Sequence, residues 1–289
     1  MKKYLMAFFV LIYATSWSQI SSGFKVGLNF STIRGPLEKD DNGKEVETNS
    51  FGTGFHVGAA INYKVTDLFG ARLEVLFSQK GTSYSFDGQS YYVLNTELGR
   101  QIVTTGNRKI DLAITNAYID LPLMAYFKLG DKIEISGGVG LGFLVGSSAS
   151  GEMTYSGEAS NGAPLEIFTT NLDFNYSKDK IGEADLTDAI VRTVNGESTK
   201  IPKTAGAYFE YTDEMKGSAF NVIDLSLNAG LSFFINRGLY FGLRLNYGLS
   251  DVSNKNFDVS KVKLNGNKFI PLDDKDTNLT IQASIGFSF

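Results

Sequence analysis

Histidine occurs once in the 289-residue chain, at position 56, and cysteine does not occur at all. One imidazole does not make a zinc site, which draws several ligands from His, Cys and carboxylates. It can act as a general base when a serine or an acid stands beside it, but no motif of that kind surrounds His56. The plainer reading is a hydrogen-bonded interior imidazole. Gly138-Val-Gly140-Leu-Gly142 has a spacing like that of a dinucleotide loop. That fingerprint needs a helix to follow within a βαβ unit, and here none follows. The remaining chemistry-bearing residues are charges set singly among alternating apolar positions: Lys25, Arg72, Glu74, Lys80, Asp120, Lys128, Glu134, Asp224 and Arg244. Buried charges are costly unless they pair and hydrogen-bond, so these are expected to pair as a structural network. No catalytic, cofactor-binding or metal-binding residue is expected.

The element that must position such charges is a strand, because only period two puts one charge per two residues on a single face. The last twelve residues show the pattern in its purest form. Leu279, Ile281, Ala283, Ile285, Phe287 and Phe289 alternate with Thr280, Gln282, Ser284, Gly286 and Ser288. Seven further segments repeat it: Gly23 to Ser31, Gly54 to Tyr63, Phe69 to Lys80, Tyr118 to Lys128, Ile133 to Gly146, Asn221 to Phe233 and Leu239 to Ser250. In each, the apolar parity is opposite to the charged one. The glycines at 138, 140 and 142 fall on the charged parity, where they would receive Met124, Pro122 and Asp120 from the preceding strand.

Eight segments of about ten residues suit an even-numbered antiparallel transmembrane barrel. Connections after the second, fourth and sixth segments are short. Those after the first, third, fifth and seventh are long, about 32–53, 81–117, 147–218 and 251–277. Short periplasmic turns and long outer loops are the pattern of such a barrel. Phe24, Tyr63, Phe69, Phe127, Phe233, Phe241, Phe287 and Phe289 gather at the short-turn end with outward parity, and Phe30, Phe55, Phe77, Phe143 and Tyr247 at the other. A soluble eight-stranded barrel would instead turn its apolar face inward. Lys128 and Glu134 are expected to face each other near the periplasmic mouth, with Arg72, Glu74 and Arg244 deeper. An eight-stranded barrel is just filled by its side chains, so the lumen is expected to be closed.

The chain also carries resemblances. Its terminal strand, closing on Ile285, Phe287 and Phe289, resembles the assembly signal of bacterial outer-membrane barrels. That implies the barrel-assembly machinery as a partner during insertion. Tyr118-Ile-Asp-Leu-Pro-Leu-Met-Ala-Tyr126 resembles the Tyr-x-acid-aliphatic-Pro-Leu segment of the PorT-like outer-membrane β-barrel proteins of Bacteroidetes. Gly137 to Phe143 and Asp224 to Gly230 resemble the strands that follow in that family. The resemblance spans the mature chain and implies location and fold. The family's namesake serves a secretion apparatus.

Met1-Lys2-Lys3, an apolar run from Tyr4 to Ala14 and Ser16-Trp17-Ser18 have the layout of a cleaved signal peptide, residues 1–18. The outer membrane of a Gram-negative bacterium is therefore the expected location, with 19–289 as the barrel domain. Lys2 and Lys3 removed, 25 basic residues oppose 31 acidic ones, a net −6. That leaves no basic stripe for nucleic acid. The connection from Ser147 to Ser218 holds twelve acidic and six basic residues, the same −6. It reads either as a solvated, partly disordered loop repelled by lipopolysaccharide or as an outward binding surface. A weak helical pattern runs from Asp185 to Val194. Tyr84, Phe86, Leu112 and Ile114 carry the inward parity beyond the bilayer, where an apolar inner face implies something to cover. They are expected to form a cluster over the outer mouth, on a hairpin from Gly81 to Ala117. The function expected is non-enzymatic: envelope structure or surface interaction through the loops, in contact with outer-membrane lipid. A secretion accessory, a small-solute channel and a lipid-modifying enzyme are the alternatives, the last because small outer-membrane barrels that modify lipid A pair a histidine with a serine or an acid.

Overall fold

Period-two alternation has produced strands throughout. The computed structural model describes residues 19–211 and 217–289, and it contains no helix among them. The leader expected at 1–18 lies outside the described residues. Fifteen strands occur in chain order: β1 Ile20–Arg34, β2 Glu47–Lys64, β3 Phe69–Asn95, β4 Gln101–Leu129, β5 Ile133–Ala159, β6 Pro164–Asn175, β7 Ala184–Asp185, β8 Ile190–Val194, β9 Glu197–Ile201, β10 Thr204–Ala205, β11 Ile223–Phe234, β12 Leu239–Gly248, β13 Val259–Asn265, β14 Lys268–Pro271 and β15 Thr277–Ser288.

Eight of them close a ring in the order β1-β2-β3-β4-β5-β11-β12-β15, every neighbour antiparallel, with β15 returning to β1. The protein is an all-β, eight-stranded antiparallel barrel. Closure matters physically because an open edge would leave backbone donors and acceptors without partners in lipid. The final strand makes that closure: Phe24 pairs with Phe287, and Arg34 with Thr277. Outward-parity side chains such as Phe24, Leu28, Val57, Leu73, Val139, Leu243 and Ile285 are exposed. The lumen side is tightly filled. A side chain at Gly138 would meet the Leu123 carbonyl at 2.0 Å, and one at Gly142 would meet Asp120 at 2.7 Å. Gly138 pairs with Met124, Gly140 with Pro122 and Gly142 with Asp120.

At one end the links are short, residues 65–68, 130–132 and 235–238. At the other end the strands keep going. The strands β3, β4 and β5 run for 27, 29 and 27 residues, whereas a tilted strand crosses a bilayer in about ten. The stretches 81–95, 101–117 and 147–159 are therefore strand, rising above the ring as a tall sheet to which β6 adds. Across β3 and β4 the register holds from Gly81–Thr115 to Asn95–Gln101, so the parity of the lumen continues upward. On β5 it does not. The pairing jumps from Tyr118–Leu144 to Ala117–Gly146, a bulge at Val145, and an extra residue in one strand moves the following side chains to the other face. Below the bulge Gly142 faces inward; above it Ser147, Ala149 and Met153 do.

The pattern at Asp185 to Val194 is not a helix. Ile190–Val194 pairs with Glu197–Ile201 as a hairpin. Its turn is Asn195-Gly196, at φ of 55° and 77°. Two consecutive left-handed residues make the tight turn that Asn-Gly favours, and that local preference outweighs three apolar residues at helical spacing. Inside the tall sheet lies a core of Phe86, Tyr92, Ile110, Leu112, Met153, Tyr155, Phe168, Leu172, Val194, Ile201 and Ala205. A second cluster, Ile33, Phe220 and Val252 with Ile114, Leu144 and Tyr176, joins the barrel strands to the connections above them.

Candidate functional site

Inward parity stacks the polar residues of the ring in layers. Nearest the short turns, Arg72 of β3 contacts Glu134 of β5 at 2.9 Å. Its Nε donates to Asn62 at 2.6 Å, and its guanidinium lies 5.2 Å from the Tyr126 ring. In the next layer Glu74 of β3 is held by Lys25 of β1 at 2.7 Å and by both terminal nitrogens of Arg244 of β12 at 2.6 and 2.8 Å. Above the midline Lys80 of β3 reaches Asp224 at 2.9 Å and Asp120 at 3.3 Å, with the Tyr118 ring at 4.4 Å. Each of these charges is buried. Of the residues expected in the network, Lys128 stands apart. It pairs in register with Glu134, but its ammonium lies over the Phe234 ring at 5.4 Å. Arg72, with a planar fork that matches a carboxylate, occupies Glu134 instead. The pairing of Lys128 with Glu134 is thus not formed, and Arg72 lies level with Glu134 rather than deeper.

Between the Glu74 and Lys80 layers sits His56, wholly buried. Its Nε2 is 2.8 Å from Ser284 Oγ and its Nδ1 2.8 Å from Asn29 Oδ1. Serine, imidazole and amide in that order are the parts of a nucleophilic triad. Asn29 and Ser284 already stood on the inward faces in the sequence; what parity did not reveal is that registers on β1, β2 and β15 bring all three level. The adjoining cavity, lined by Lys25, Arg72, Arg244 and Ser284, measures about 20 Å³. That is room for one water. The space beside Ser284 is thus far smaller than an ester or a peptide.

The tall sheet encloses a different kind of space. A cavity of about 210 Å³ lies above the lumen, walled by Tyr84, Ile110, Leu112, Ile114, Met153, Leu172, Phe174, Tyr176, Phe220 and Phe257. Tyr84, Leu112 and Ile114 of the expected cluster line it, and Phe86 lies in the core beside it. Strand β6 and β10, from the connection after β5, cover them. Three polar groups at its border were not singled out in the sequence. Arg108, 3 % exposed, contacts Glu210 and is ringed by Tyr91, Tyr92 and Tyr155 at 5.5 to 5.9 Å. Lys261 stands 3.8 Å from Glu47 and 5.1 Å from the Tyr84 ring, whose hydroxyl donates to Glu47 at 2.6 Å. Asp258 has oxygens within 4.8 Å of those of Asp274 and Asp276. Burial, and then the charge of Asp276, push the Asp258 carboxyl up to about 8. For Arg108 a signal did exist, since it continues the even, inward parity of Ile110, Leu112 and Ile114. For Lys261 and Asp258, on a long connection, there was none.

Residues 16–254 match the family model described as the outer membrane protein beta-barrel domain. No curated protein matches the chain. Among solved structures it is similar to Ail, the attachment invasion locus protein of Yersinia pestis, at 12 % identity over 93 % of this chain and 98 % of that one, with a TM-score of 0.36. The outer membrane protein OprG of Pseudomonas aeruginosa aligns at 11 % identity over 93 % and 95 % of the chains, TM-score 0.32. The outer membrane protease OmpT of Escherichia coli aligns at 9 % identity over 93 % and 96 %, TM-score 0.29.

Proposed function

The chain belongs to the outer membrane protein beta-barrel domain family, and from that premise we propose that it is a non-enzymatic, non-conducting envelope protein which acts through the folded head above its barrel. One observation carries the reading. Glu74 and Arg244 stand on β3 and β12, four strands apart in a ring of eight, and so on opposite walls, yet they meet at 2.6 Å. A doubly bonded ion pair across the full diameter supports a lumen closed to solute, and the clusters above it add an apolar seal. Ser284 and His56 lie beneath that seal, out of reach of lipid or protein substrate. The head, by contrast, holds its own apolar core, which is what an interaction surface needs and an idle loop does not.

The same reading includes export by the leader at residues 1–18, insertion by the barrel-assembly machinery and a lipid belt at the exposed apolar faces. Kinship with the PorT-like proteins of Bacteroidetes rests on the Tyr118 to Tyr126 segment. In planar bilayers the reconstituted protein is expected to give no single-channel steps; a stable stepwise conductance would overturn the closed lumen. A deletion strain is expected to keep its secretome while its outer-membrane proteome or detergent tolerance changes. Loss of secreted cargo would move the function to a secretion accessory.

A further inference from the structure

The wall of the ring is uneven at its outer end. On one side β3, β4 and β5 climb into the head. On the opposite side β1 ends at Arg34, β12 ends at Gly248 and β15 begins only at Thr277. Against this low wall lies an open groove of about 460 Å³, lined by Arg34, Tyr247, Leu249, Lys275 and Thr277. Its lower edge is apolar and faces lipid. Tyr247 and Leu249 are exposed, and Leu245, Ile281 and Phe30 lie level with one another on the wall below them. Its upper edge carries two exposed cations, Arg34 and Lys275. The Arg34 guanidinium lies 5.5 Å from the Tyr247 ring, and neither cation has a carboxylate partner among the described residues. Asp274 and Asp276, which flank Lys275 in sequence, are not part of the lining. Their carboxylates gather with that of Asp258 instead, with oxygens within 4.8 Å of one another.

Height decides what such a groove meets. Tyrosine is favoured at the level of lipid headgroups, and cations just beyond the hydrocarbon edge draw anionic lipid. An arginine fork matches the oxygens of a phosphate, and a lysine adds a point charge. On the tall side of the ring the outward residues above the apolar belt, Gln79, Ser83, Thr115 and Ser148, carry no charge. The connection from Ser147 to Ser218 carries a net −6 and repels phosphate. The two cations therefore mark one sector of the rim. On the envelope reading, which sets the head outside, we propose that this groove holds the phosphate of an outer-leaflet glycolipid, with Arg34 and Lys275 on the phosphate and the acyl chains running down the β12–β15–β1 wall. Such a lipid seats the barrel against the leaflet on the side where its own strands stop short.

The test uses the full-length mature protein in a neutral detergent, with bound lipid counted by native mass spectrometry. Lipid A that carries its phosphates should bind saturably, and about thirtyfold more tightly than the same lipid A dephosphorylated, the product of roughly fivefold from each cation. Arg34→Gln/Lys275→Gln should remove that preference. Lys44→Gln/Lys109→Gln, which deletes two exposed cations elsewhere, should keep it. Phosphatidylglycerol, whose headgroup has a phosphate but no sugar, should bind more weakly than lipid A. Equal affinity for the two forms of lipid A, an equal loss in both double variants, or tighter binding of phosphatidylglycerol would each overturn the proposal. Both cations are exposed, so the variants should fold and show wild-type heat-modifiable migration. If the double variant does not, Arg34→Gln alone decides, by a loss of about fivefold or none. A stepwise conductance in planar bilayers would end the envelope reading without touching the lipid preference, and loss of that preference would leave the closed barrel as it is.

Discussion

Glu74 is the residue on which the lumen depends, because two cations share it. Lys25 and Arg244 are both buried, and neither has another carboxylate partner among the described residues. Replacing one member of a buried ion group costs more than the pair itself contributes, since the surviving charge is left without compensation. Glu74→Leu is accordingly expected to destabilise the folded barrel by about 3 kcal/mol, read as a lowered urea midpoint in lipid vesicles. A midpoint equal to wild type would show that the cations find water or each other's neighbours instead. Asp258 presents the opposite case in the head. Its carboxyl, ordinarily near 3.8, is raised to about 8 by burial, by Asp276 and by a hydrogen bond to Asp274 that needs its proton. The folded state thus holds a proton that the unfolded chain has released, and stability falls as pH rises from about 4 to about 8. Asn donates the same hydrogen bond without a charge. Asp258→Asn should therefore slow amide exchange in the head at pH 8.5 and leave it near wild type at pH 4. Equal protection of the two proteins at pH 8.5 would exclude a buried, strained carboxyl.

Among the elements, the strands that face lipid were legible and the departures from regular pairing were not. Parity in β15 alone separates an exposed face of Ile281 and Ile285 from a buried one of Thr280, Gln282 and Ser284. Lipid on one side and a packed lumen on the other leave no freedom to slip register. The bulge at Val145 has no such signature. It depends on how β5 meets β4 and on nothing in its own composition, so the inward residues above it, Ala149 and Met153, could not be assigned from parity. The hairpin at Asn195-Gly196 did have a local signal, which the helical spacing of Leu186, Ile190 and Val194 obscured. Nor could the sequence show that Arg72 would take Glu134 from Lys128, since both cations share the inward face and only side-chain geometry separates them. At the closing strand, Phe289 donates its backbone N–H to Ser22 at 2.8 Å, and its ring packs with Phe287 and Phe24 at 5.1 and 6.3 Å. Seam formation and terminal aromatic thus coincide. Phe289→Ser, or removal of the residue, is expected to lower the amount of inserted protein, measured as heat-modifiable migration on gels. Wild-type levels of folded membrane protein would defeat this.

At the scale of the whole molecule, the barrel and the head solve different problems with one sheet. Within the bilayer the strands turn apolar residues outward and charges inward. Above it β3 and β4 keep the same inward parity but change its chemistry, from Arg72, Glu74 and Lys80 to Phe86, Leu112 and Ile110. The inner face becomes apolar where the outer one meets water, so the head has the polarity of a soluble protein while the barrel below has the reverse. The crossover lies near Thr82, which is why the tall hairpin needs β6, β10 and the β13–β14 hairpin to cover it. This arrangement makes accessibility along β3 and β4 alternate in a way that can be read on living cells. The wild-type chain has no cysteine, so single cysteines report alone. Ser83 is exposed, Tyr84 is half-buried against Glu47 and Leu112 is 8 % exposed. On whole cells Ser83→Cys should react with a bulky water-soluble maleimide, whereas Tyr84→Cys and Leu112→Cys should resist it. Equal reaction at all three would mean that the head is an open ribbon and the cavity within it does not exist. Reaction at Ser83→Cys only after lysis would place the head on the periplasmic side and invert the molecule.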